Sequence, residues 1–400
     1  MNRRKFVVGA GALIGAGVLA SGMRSESDSA PSGWAERGED SLASAGAGAA
    51  AGKIDVHRHI VTPAMQTLLG RRNLDTLAGV ALPGWSPEAF MASLQADAVH
   101  TAITSAVLPG IHCDVGELAQ FSRSSNEYSR SLADRYPGRI GFFAHLPLPY
   151  TEQACAEAVY ALDTLAADGV VLMASNAGKF LGDPEFDELM HELNSRSAVV
   201  FVHPNIPPST DQLGLNTPLS VLEYPCDLTR AGLNLILSGT MERFHKIRWI
   251  LAHAGGFLPY VAWRVSLANA MPEYGETATQ GVLTYLRRFY LDTATSVSRS
   301  SMATLQELVE PSRLLFGSDS PFAPEQQTQR QMAELVQAGF WRAGLALQVQ
   351  RSNALSLFPR YRQDGERVAV APVFEQESVV GQAKRQILTP VRSLAQKLRE

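Results

Sequence analysis

The chain has 400 residues and a formal net charge of −4 at pH 7, with 46% hydrophobic and 18% charged residues. This length suits a barrel of alternating strands and helices, and the composition supplies a large core. The slightly acidic balance argues against nucleic acid or an anionic membrane as the main partner. The three cysteines lie far apart with no Cys-x-x-Cys, which excludes a disulfide framework and a cysteine metal cluster. Free thiols are expected, with one long-range bridge left open.

Residues 1–22 have the pattern of an export signal. Arg3 and Arg4 precede Phe6 and a short Gly- and Ala-rich apolar run, and small residues follow it. The paired arginines resemble a twin-arginine signal, so we expect a folded, periplasmic or otherwise exported protein. A membrane anchor is the alternative, but the run is short for a span, and no stable membrane insertion is expected after signal removal. Residues 23–52, rich in Ser, Ala and Gly, are predicted to be a disordered linker.

Eight apolar segments typical of buried strands follow, and segments with helical spacing lie between them. The predicted strands are 53–59, 99–107, 139–145, 169–173, 198–203, 247–253, 289–292 and 313–316. The predicted helices include 115–136, 151–167, 184–195 and 258–270. This alternation favours an α/β fold, a (β/α)8 or TIM barrel, over residues 53–361. A doubly wound open sheet is the competitor, but such sheets usually carry a Gly-rich phosphate turn after the first strand and none is present.

Two long connections, 60–98 and 204–224, follow the first and fifth predicted strands. Both lie on the side of a barrel where active sites form, so we expect them to shape a substrate pocket. Trp85, in the first connection, is interpreted either as a wall of that pocket or as a packing residue.

Histidines and a carboxylate stand at the ends of four predicted strands. His57 and His59 are two residues apart on the first strand, so their imidazoles share one face. His203 ends the fifth strand, His253 ends the sixth and Asp319 follows the eighth. In a parallel barrel these ends form one ring, and five such donors predict a metal site, whereas a lone strand-end histidine is more often structural.

Several neighbouring residues are assigned structural roles at this stage. Arg58 lies between the paired histidines and should point to the opposite face, where a salt bridge in the barrel wall is favoured over capture of a substrate carboxylate. His112 and His145 lie near the predicted barrel mouth, but structural roles are favoured for both.

The joint pattern resembles the amidohydrolase superfamily. It is most similar to the amidohydrolase-related group that includes the aminocarboxymuconate-semialdehyde, dihydroxybenzoate and 6-methylsalicylate decarboxylases. Besides the strand ends, the resemblance includes segments 178–184 (GKFLGDP) and 353–359 (NALSLFP), and it covers about residues 53–361. The first of these segments and the Pro83-Gly84-Trp85 tripeptide resemble the 6-methylsalicylate branch most closely.

This resemblance implies a site for one divalent ion. The implied ligands are His57, His59, His203 and Asp319. His253 would act beside the metal as an acid/base or orienting group, and Asp319 would relay a proton. Binuclear members usually have a carboxylated lysine at the end of the fourth strand, which here ends at Met173 without one; Lys179 lies several residues further along. Zinc suits three imidazoles and a carboxylate, and manganese is an alternative in such decarboxylases.

The resulting hypothesis is a metal-dependent, non-oxidative decarboxylase acting on a small aromatic or unsaturated carboxylate similar to 6-methylsalicylate. A lactone or amide hydrolase on the same barrel is the alternative, and a binding protein without catalysis is a third. The chain is expected to act on a small molecule, and a homodimer is the expected assembly. Residues 362–400 are predicted to be a helical extension, interrupted near Pro390, that packs on the barrel or a partner subunit or stays solvated.

Overall fold

A computed structural model describes residues 52–366, apart from 208, 211–215, 272–273, 276, 336–340 and 342–343. The predicted export signal, the linker up to residue 51 and the part of the C-terminal extension beyond residue 366 lie outside the described residues. Within the described part of the chain, no helix is both long enough and apolar enough to span a bilayer.

The described residues form twelve strands, eight of which make one parallel sheet. In chain order the strands are β1 (Lys53–His59), β2 (Thr76–Leu77), β3 (Val80–Ala81), β4 (Val99–Ser105), β5 (Ile140–His145), β6 (Gly169–Met173), β7 (Ser175–Asn176), β8 (Lys179–Phe180), β9 (Val199–His203), β10 (Arg248–Leu251), β11 (Tyr290–Asp292) and β12 (Leu314–Leu315). The parallel sheet has the order β1-β4-β5-β6-β9-β10-β11-β12. Each of its strands overlaps a predicted one, so all eight predictions are confirmed, with shorter ends in several cases.

The first and last strands of this sheet are joined by backbone hydrogen bonds. Val56 N donates to Phe316 O at 3.0 Å, and His59 N donates to Ser320 O at 2.8 Å. Arg58 and Ser320 form a parallel bridge. The sheet therefore closes as expected for a TIM barrel, and the alternative of an open doubly wound sheet is wrong.

Helices alternate with the barrel strands. They are α1 (Pro63–Arg71), α2 (Pro87–Ala96), α3 (Val115–Arg135), α4 (Thr151–Val159), α5 (Asp187–Ser195), α6 (Leu219–Leu237), α7 (Thr240–Arg243), α8 (Leu258–Ser266), α9 (Val282–Leu286), α10 (Arg299–Leu308), α11 (Glu325–Leu335), α12 (Leu345–Leu347) and α13 (Asn353–Leu357). Their starts follow local sequence: Thr62, Ser86 and Asp114 cap α1, α2 and α3 by accepting a backbone N–H. The four predicted helices are confirmed as α3, α4, α5 and α8, the last three adjoined by a π or 3-10 turn.

The barrel interior is filled by large side chains. Phe143 and Phe201 stack with ring centroids 5.3 Å apart. Phe142 and Trp249, on the opposite face of the sheet, are also fully buried. The three cysteines are unpaired, so free thiols are confirmed and the long-range bridge left open by the sequence is absent.

The long connection after β1 carries the β2–β3 hairpin, and its residues Leu77 and Val80 line a cavity at the barrel mouth. The prediction that this connection shapes a pocket is confirmed. Trp85 instead packs against Phe90, and its Nε1 donates to the Tyr128 hydroxyl at 3.1 Å. Trp85 is not one of the described residues that line the cavity, so it is a packing residue.

Candidate metal centre

The five residues singled out in the sequence converge at the carboxyl ends of the barrel strands. The Nε2 atoms of His57 and His59 are 3.0 Å apart, and Asp319 Oδ1 lies 3.2 Å from each of them. The His203 ring centroid is 5.5 Å from that of His57 and 5.0 Å from that of His59. The His253 ring centroid is 4.9 Å from that of His57. Side chains up to 262 residues apart in sequence thus form one cluster.

Two overlapping sets of donors are present in this cluster. Ligand atoms of His57, His203, His253 and Asp319 all lie within 4.8 Å of one another. His59 is outside that set, yet its Nε2 makes the short contacts with His57 and Asp319 given above. The short contacts give the better criterion, because two ligands at right angles around an ion about 2.1 Å away lie about 3.0 Å apart. His59 therefore fits a first-coordination position at least as well as His253.

Backbone contacts between β1 and the segment after β12 fix the position of Asp319. Its N–H donates to the His57 carbonyl at 2.8 Å, and its φ of 63° is in the left-handed region that Asp tolerates better than most residues. Gly317 permits this close approach, since a Cβ there would lie 2.8 Å from the Cβ of His57. The carboxylate is therefore held beside the paired histidines by main-chain geometry.

Asp292, at the end of β11, orients the His57 ring through Nδ1, the nitrogen that faces away from the cluster. Its Oδ2 lies 2.8 Å from His57 Nδ1, and both side chains are fully buried. Its Oδ1 accepts from the backbone N–H groups of His253 and Ala294 at 2.9 and 3.0 Å. Because both carboxylate oxygens accept, His57 must carry a proton on Nδ1, which leaves Nε2 as the ring atom that faces the cluster and can bind an ion once its own proton is lost.

The same tautomer follows for two other histidines. His203 Nδ1 lies 2.8 Å from the Pro204 carbonyl, and His253 Nδ1 lies 3.3 Å from the Ala294 carbonyl and 2.9 Å from the Thr295 hydroxyl. A carbonyl can only accept, so Nδ1 donates in both rings and Nε2 is left as the electron-pair donor. His59 Nδ1 is bonded to the Ser105 hydroxyl at 3.0 Å, which can take either role.

The electrostatics of the cluster favour a cation. Burial lowers the pKa of His59, of His203 and of His253, so these imidazoles are neutral at pH 7. Burial also acts to lower the pKa of His57, but Asp292 and Asp319 outweigh it and raise the pKa to about 10. Burial alone would raise the pKa of Asp319, yet the adjacent His57 holds it well below its usual range. The buried Asp292 and the partly buried Asp319 thus stabilise positive charge where the Nε2 atoms meet.

These observations fit one divalent ion. Outward-facing Nδ1–H groups, inward-facing Nε2 lone pairs and one carboxylate are what such an ion requires, and donor separations of 3.0–3.2 Å match adjacent ligand positions. Lys179 lies on the β7–β8 hairpin and pairs with Glu185, so it supplies no bridge for a second ion. Arg58 points away from the cluster and bonds to Asp97 at 2.9 Å, which confirms its predicted salt bridge.

The cluster opens into a cavity of about 590 Å³ at the barrel mouth. His59, His203, His253 and Asp319 form its floor, while apolar walls come from residues such as Val107 and Phe322. No lysine or arginine is found among the described residues that line it. A bound carboxylate would therefore have to find its positive counter-charge at the histidine–aspartate cluster.

Asp292 is the functional residue that the sequence analysis missed. The predicted seventh strand, 289–292 (FYLD), ends in a carboxylate that the sequence analysis does not group with the other strand-end residues. The available signal was its position, because the end of a barrel strand lies on the same rim as the histidines. Its role became visible only through the contact with His57, 235 residues earlier in the chain.

Comparison with known proteins agrees with this geometry. The profile of the amidohydrolase family Amidohydro_2 matches residues 54–359. The chain is 35% identical over 316 residues to the 6-methylsalicylic acid decarboxylase of Penicillium expansum, an alignment that covers 78% of this chain and 97% of that protein.

Solved structures share the fold. The crystal structure of an amidohydrolase II protein superposes with a TM-score of 0.71 at 27% identity, covering 77% of this chain and 99% of that one. A dihydroxybenzoic acid decarboxylase from Polaromonas sp. JS666, solved with bound manganese and 2-nitroresorcinol, superposes with a TM-score of 0.67 at 19% identity, covering 78% of this chain and 98% of that one.

Replacement of Asp292 by Asn tests the orientation of His57. The amide would place an N–H group against either the Nδ1–H of His57 or the backbone N–H groups of His253 and Ala294. We expect metal affinity to fall by about 10–100-fold, the usual cost of losing such an outer partner. The measurement is a competition titration with a chelating indicator.

The matched control for this experiment is Asp168→Asn. Asp168 is also buried, but it lies at the opposite end of the barrel, where it bonds to the Tyr361 hydroxyl and to Phe142 N. This variant should lose stability and keep its metal affinity. Equal metal affinity in the two variants would contradict the role given to Asp292.

Proposed function

Because the chain belongs to the amidohydrolase family, we propose that it is a metal-dependent, non-oxidative decarboxylase of a small aromatic carboxylate similar to 6-methylsalicylate. The observation that carries this proposal is the cavity itself: its floor is a histidine–aspartate cluster, its walls are largely apolar, and its described lining has no lysine or arginine. The 6-methylsalicylic acid decarboxylase relative, aligned over 97% of its length, supports the same reaction and substrate class.

The proposed ligands are His57, His59, His203 and Asp319, with His253 beside the ion as the acid/base group. The contacts of His59 with His57 and Asp319 support its place in the first coordination shell. His253 lines the cavity, and its Nδ1 is anchored to Ala294 and Thr295, so its Nε2 can exchange a proton with a bound molecule. Three imidazoles and a carboxylate suit zinc, and the manganese in the Polaromonas structure supports manganese as the alternative.

A divalent ion in this position would supply a Lewis acid that chelates the substrate carboxylate and the neighbouring phenol oxygen. The protein does the rest. The apolar walls hold the ring and limit water around it. Asp319, whose low pKa keeps it ionised, passes a proton rather than storing one. His253 is neutral, with its ring proton on Nδ1. Its Nε2 therefore first takes up a solvent proton passed on by Asp319 and then delivers that proton to the ring carbon that bears the carboxylate. Carbon dioxide then leaves as aromaticity returns.

The decisive experiment uses 6-methylsalicylate, a lactone and an amide as substrates of the metal-loaded enzyme. We expect release of carbon dioxide and 3-methylphenol from the first, without hydrolysis of the other two. Hydrolysis of the lactone or amide without carbon dioxide release would replace this proposal with the hydrolase alternative, which needs the same metal site.

Two variants separate the metal ligands from the acid/base group. His253→Asn should keep its metal and lose about 10²–10⁴-fold in kcat, the usual contribution of general acid–base catalysis. His203→Ala should lose both metal and turnover. The measurements are metal content by elemental analysis and carbon dioxide release, and an unchanged metal content in His203→Ala would contradict the ligand assignment.

We also propose that the protein is exported through the twin-arginine pathway and is periplasmic, on the basis of Arg3, Arg4 and the apolar run that follows. Replacement of both arginines by lysine should leave the full-length chain in the cytoplasm of a bacterial host. Cell fractionation measures this, and periplasmic recovery of the double variant at the level of the unaltered chain would contradict the proposal.

A homodimer formed through α8 is the proposed assembly. Tyr260, Trp263, Leu267 and Met271 recur with helical spacing, and all four are exposed, Trp263 by 76%. Trp263→Ser should therefore shift the protein from dimer to monomer in light-scattering measurements. Val159→Ser, at another exposed apolar position on α4, is the control and should leave the mass unchanged. A monomeric unaltered protein would contradict the proposal.

A further inference from the structure

A second cavity, of about 280 Å³, lies beside the first at the carboxyl ends of the strands. The segment after β4 forms a wall shared by the two cavities, because Val107 and Pro109 line the first while Leu108 and Gly110 line the second. Clefts of about 300–1,000 Å³ hold drug-sized ligands, so the second cavity suits a molecule with a single ring.

The second cavity is uncharged and partly apolar. Its described lining contains no aspartate, glutamate, lysine or arginine. Leu146, Met173 and Ile206 contribute apolar surface, and Tyr150 adds an aromatic ring. An anion inside it would lose its hydration with no cation in the described lining to replace it, which is costly. Arg72, which contacts His112 and Cys113 beside the cavity, is already paired with Glu117. The lining therefore selects a neutral molecule.

His145, at the end of β5, supplies a specific polar contact in this cavity. The Ser122 hydroxyl donates to the Leu118 carbonyl at 2.9 Å, so its oxygen accepts from His145 Nδ1–H at 2.8 Å. Nε2 is then an acceptor, and no hydrogen-bond partner for it is found among the described residues. Burial lowers the pKa of His145 to about 4, so the ring remains neutral at pH 7. A ligand with a hydroxyl group would satisfy this acceptor.

We propose that the second cavity binds a small neutral phenol, with the phenol hydroxyl donating to His145 Nε2 and the ring against the apolar wall. The biological source of the phenol rests on the proposed function, because decarboxylation of a hydroxybenzoate turns an anion that needs a cation into a neutral phenol. The product then fits the neighbouring cavity better than the substrate does. His145, to which the sequence analysis assigns a structural role, would then also bind the phenol.

Cys113 gives a direct test, because this residue lines the second cavity. Burial raises the pKa of the Cys113 and Cys155 thiols to about 11 in both cases, and both side chains are half-buried. Cys155 is therefore a matched internal control on α4. The experiment follows N-ethylmaleimide alkylation of the two cysteines by peptide mass spectrometry, in the full-length metal-loaded protein, with and without 3-methylphenol.

At a 3-methylphenol concentration ten times its dissociation constant, mass action predicts about tenfold slower alkylation of Cys113, with Cys155 unchanged. Benzoate, an anion with the same ring, should not protect Cys113. No protection by 3-methylphenol, or equal slowing at both cysteines, would overturn the proposal. This readout is independent of turnover, so failure of decarboxylation would remove the source of the phenol without changing the alkylation result.

Two variants locate the phenol. His145→Phe removes the acceptor and should abolish protection of Cys113. If that variant does not fold, Ile111→Trp fills the cavity from the loop side. Cys113 in this variant should be alkylated at the same rate with and without 3-methylphenol. Protection retained in either folded variant would overturn the proposal.

Discussion

The contact between β1 and the segment after β12 is the constraint on which the rest of the site depends. It closes the barrel, and through the hydrogen bond from Asp319 N to the His57 carbonyl it also sets the carboxylate beside the paired histidines. The absence of a side chain at Gly317 allows the two segments to approach this closely. Barrel closure and assembly of the metal centre are therefore one structural event, and a sheet left open between β1 and β12 would have no site.

The charges of the centre follow from the same packing. Asp292 and Asp319 are brought to opposite nitrogens of the His57 ring. Without a metal, their combined field raises the pKa of that imidazole to about 10, so a proton balances part of the negative charge. A divalent ion competes with this proton for Nε2, which links metal binding to proton release. The cluster is therefore better suited to binding a cation than to remaining without one.

Local sequence patterns were sufficient to predict the barrel and to single out five strand-end residues that the structure brings together. Alternation in β1 places His57 and His59 on one face, and His203 ends a continuous apolar strand, so both signals are short-range. The contributions of Asp292 and His145 were not predictable in this way. Each depends on which side chain or cavity lies opposite after folding, and a single strand-end carboxylate or histidine carries no pattern that marks it. Trp85 is a residue whose two interpretations the sequence does not separate. Its position in a loop at the barrel mouth is compatible both with a wall of the pocket and with a packing residue.

The two cavities place opposite demands on a ligand. The described lining of the first has the metal centre and no lysine or arginine, so it favours an anion that can chelate, whereas that of the second has a neutral acceptor and no charged side chain. The most direct test of the central claim is the anomalous scattering from crystals of the metal-loaded protein. The account predicts one ion, about 2.0–2.2 Å from Nε2 of each of the three ligand histidines and from the Asp319 carboxylate. Two ions, or one ion bound away from this ring of strand ends, would contradict it.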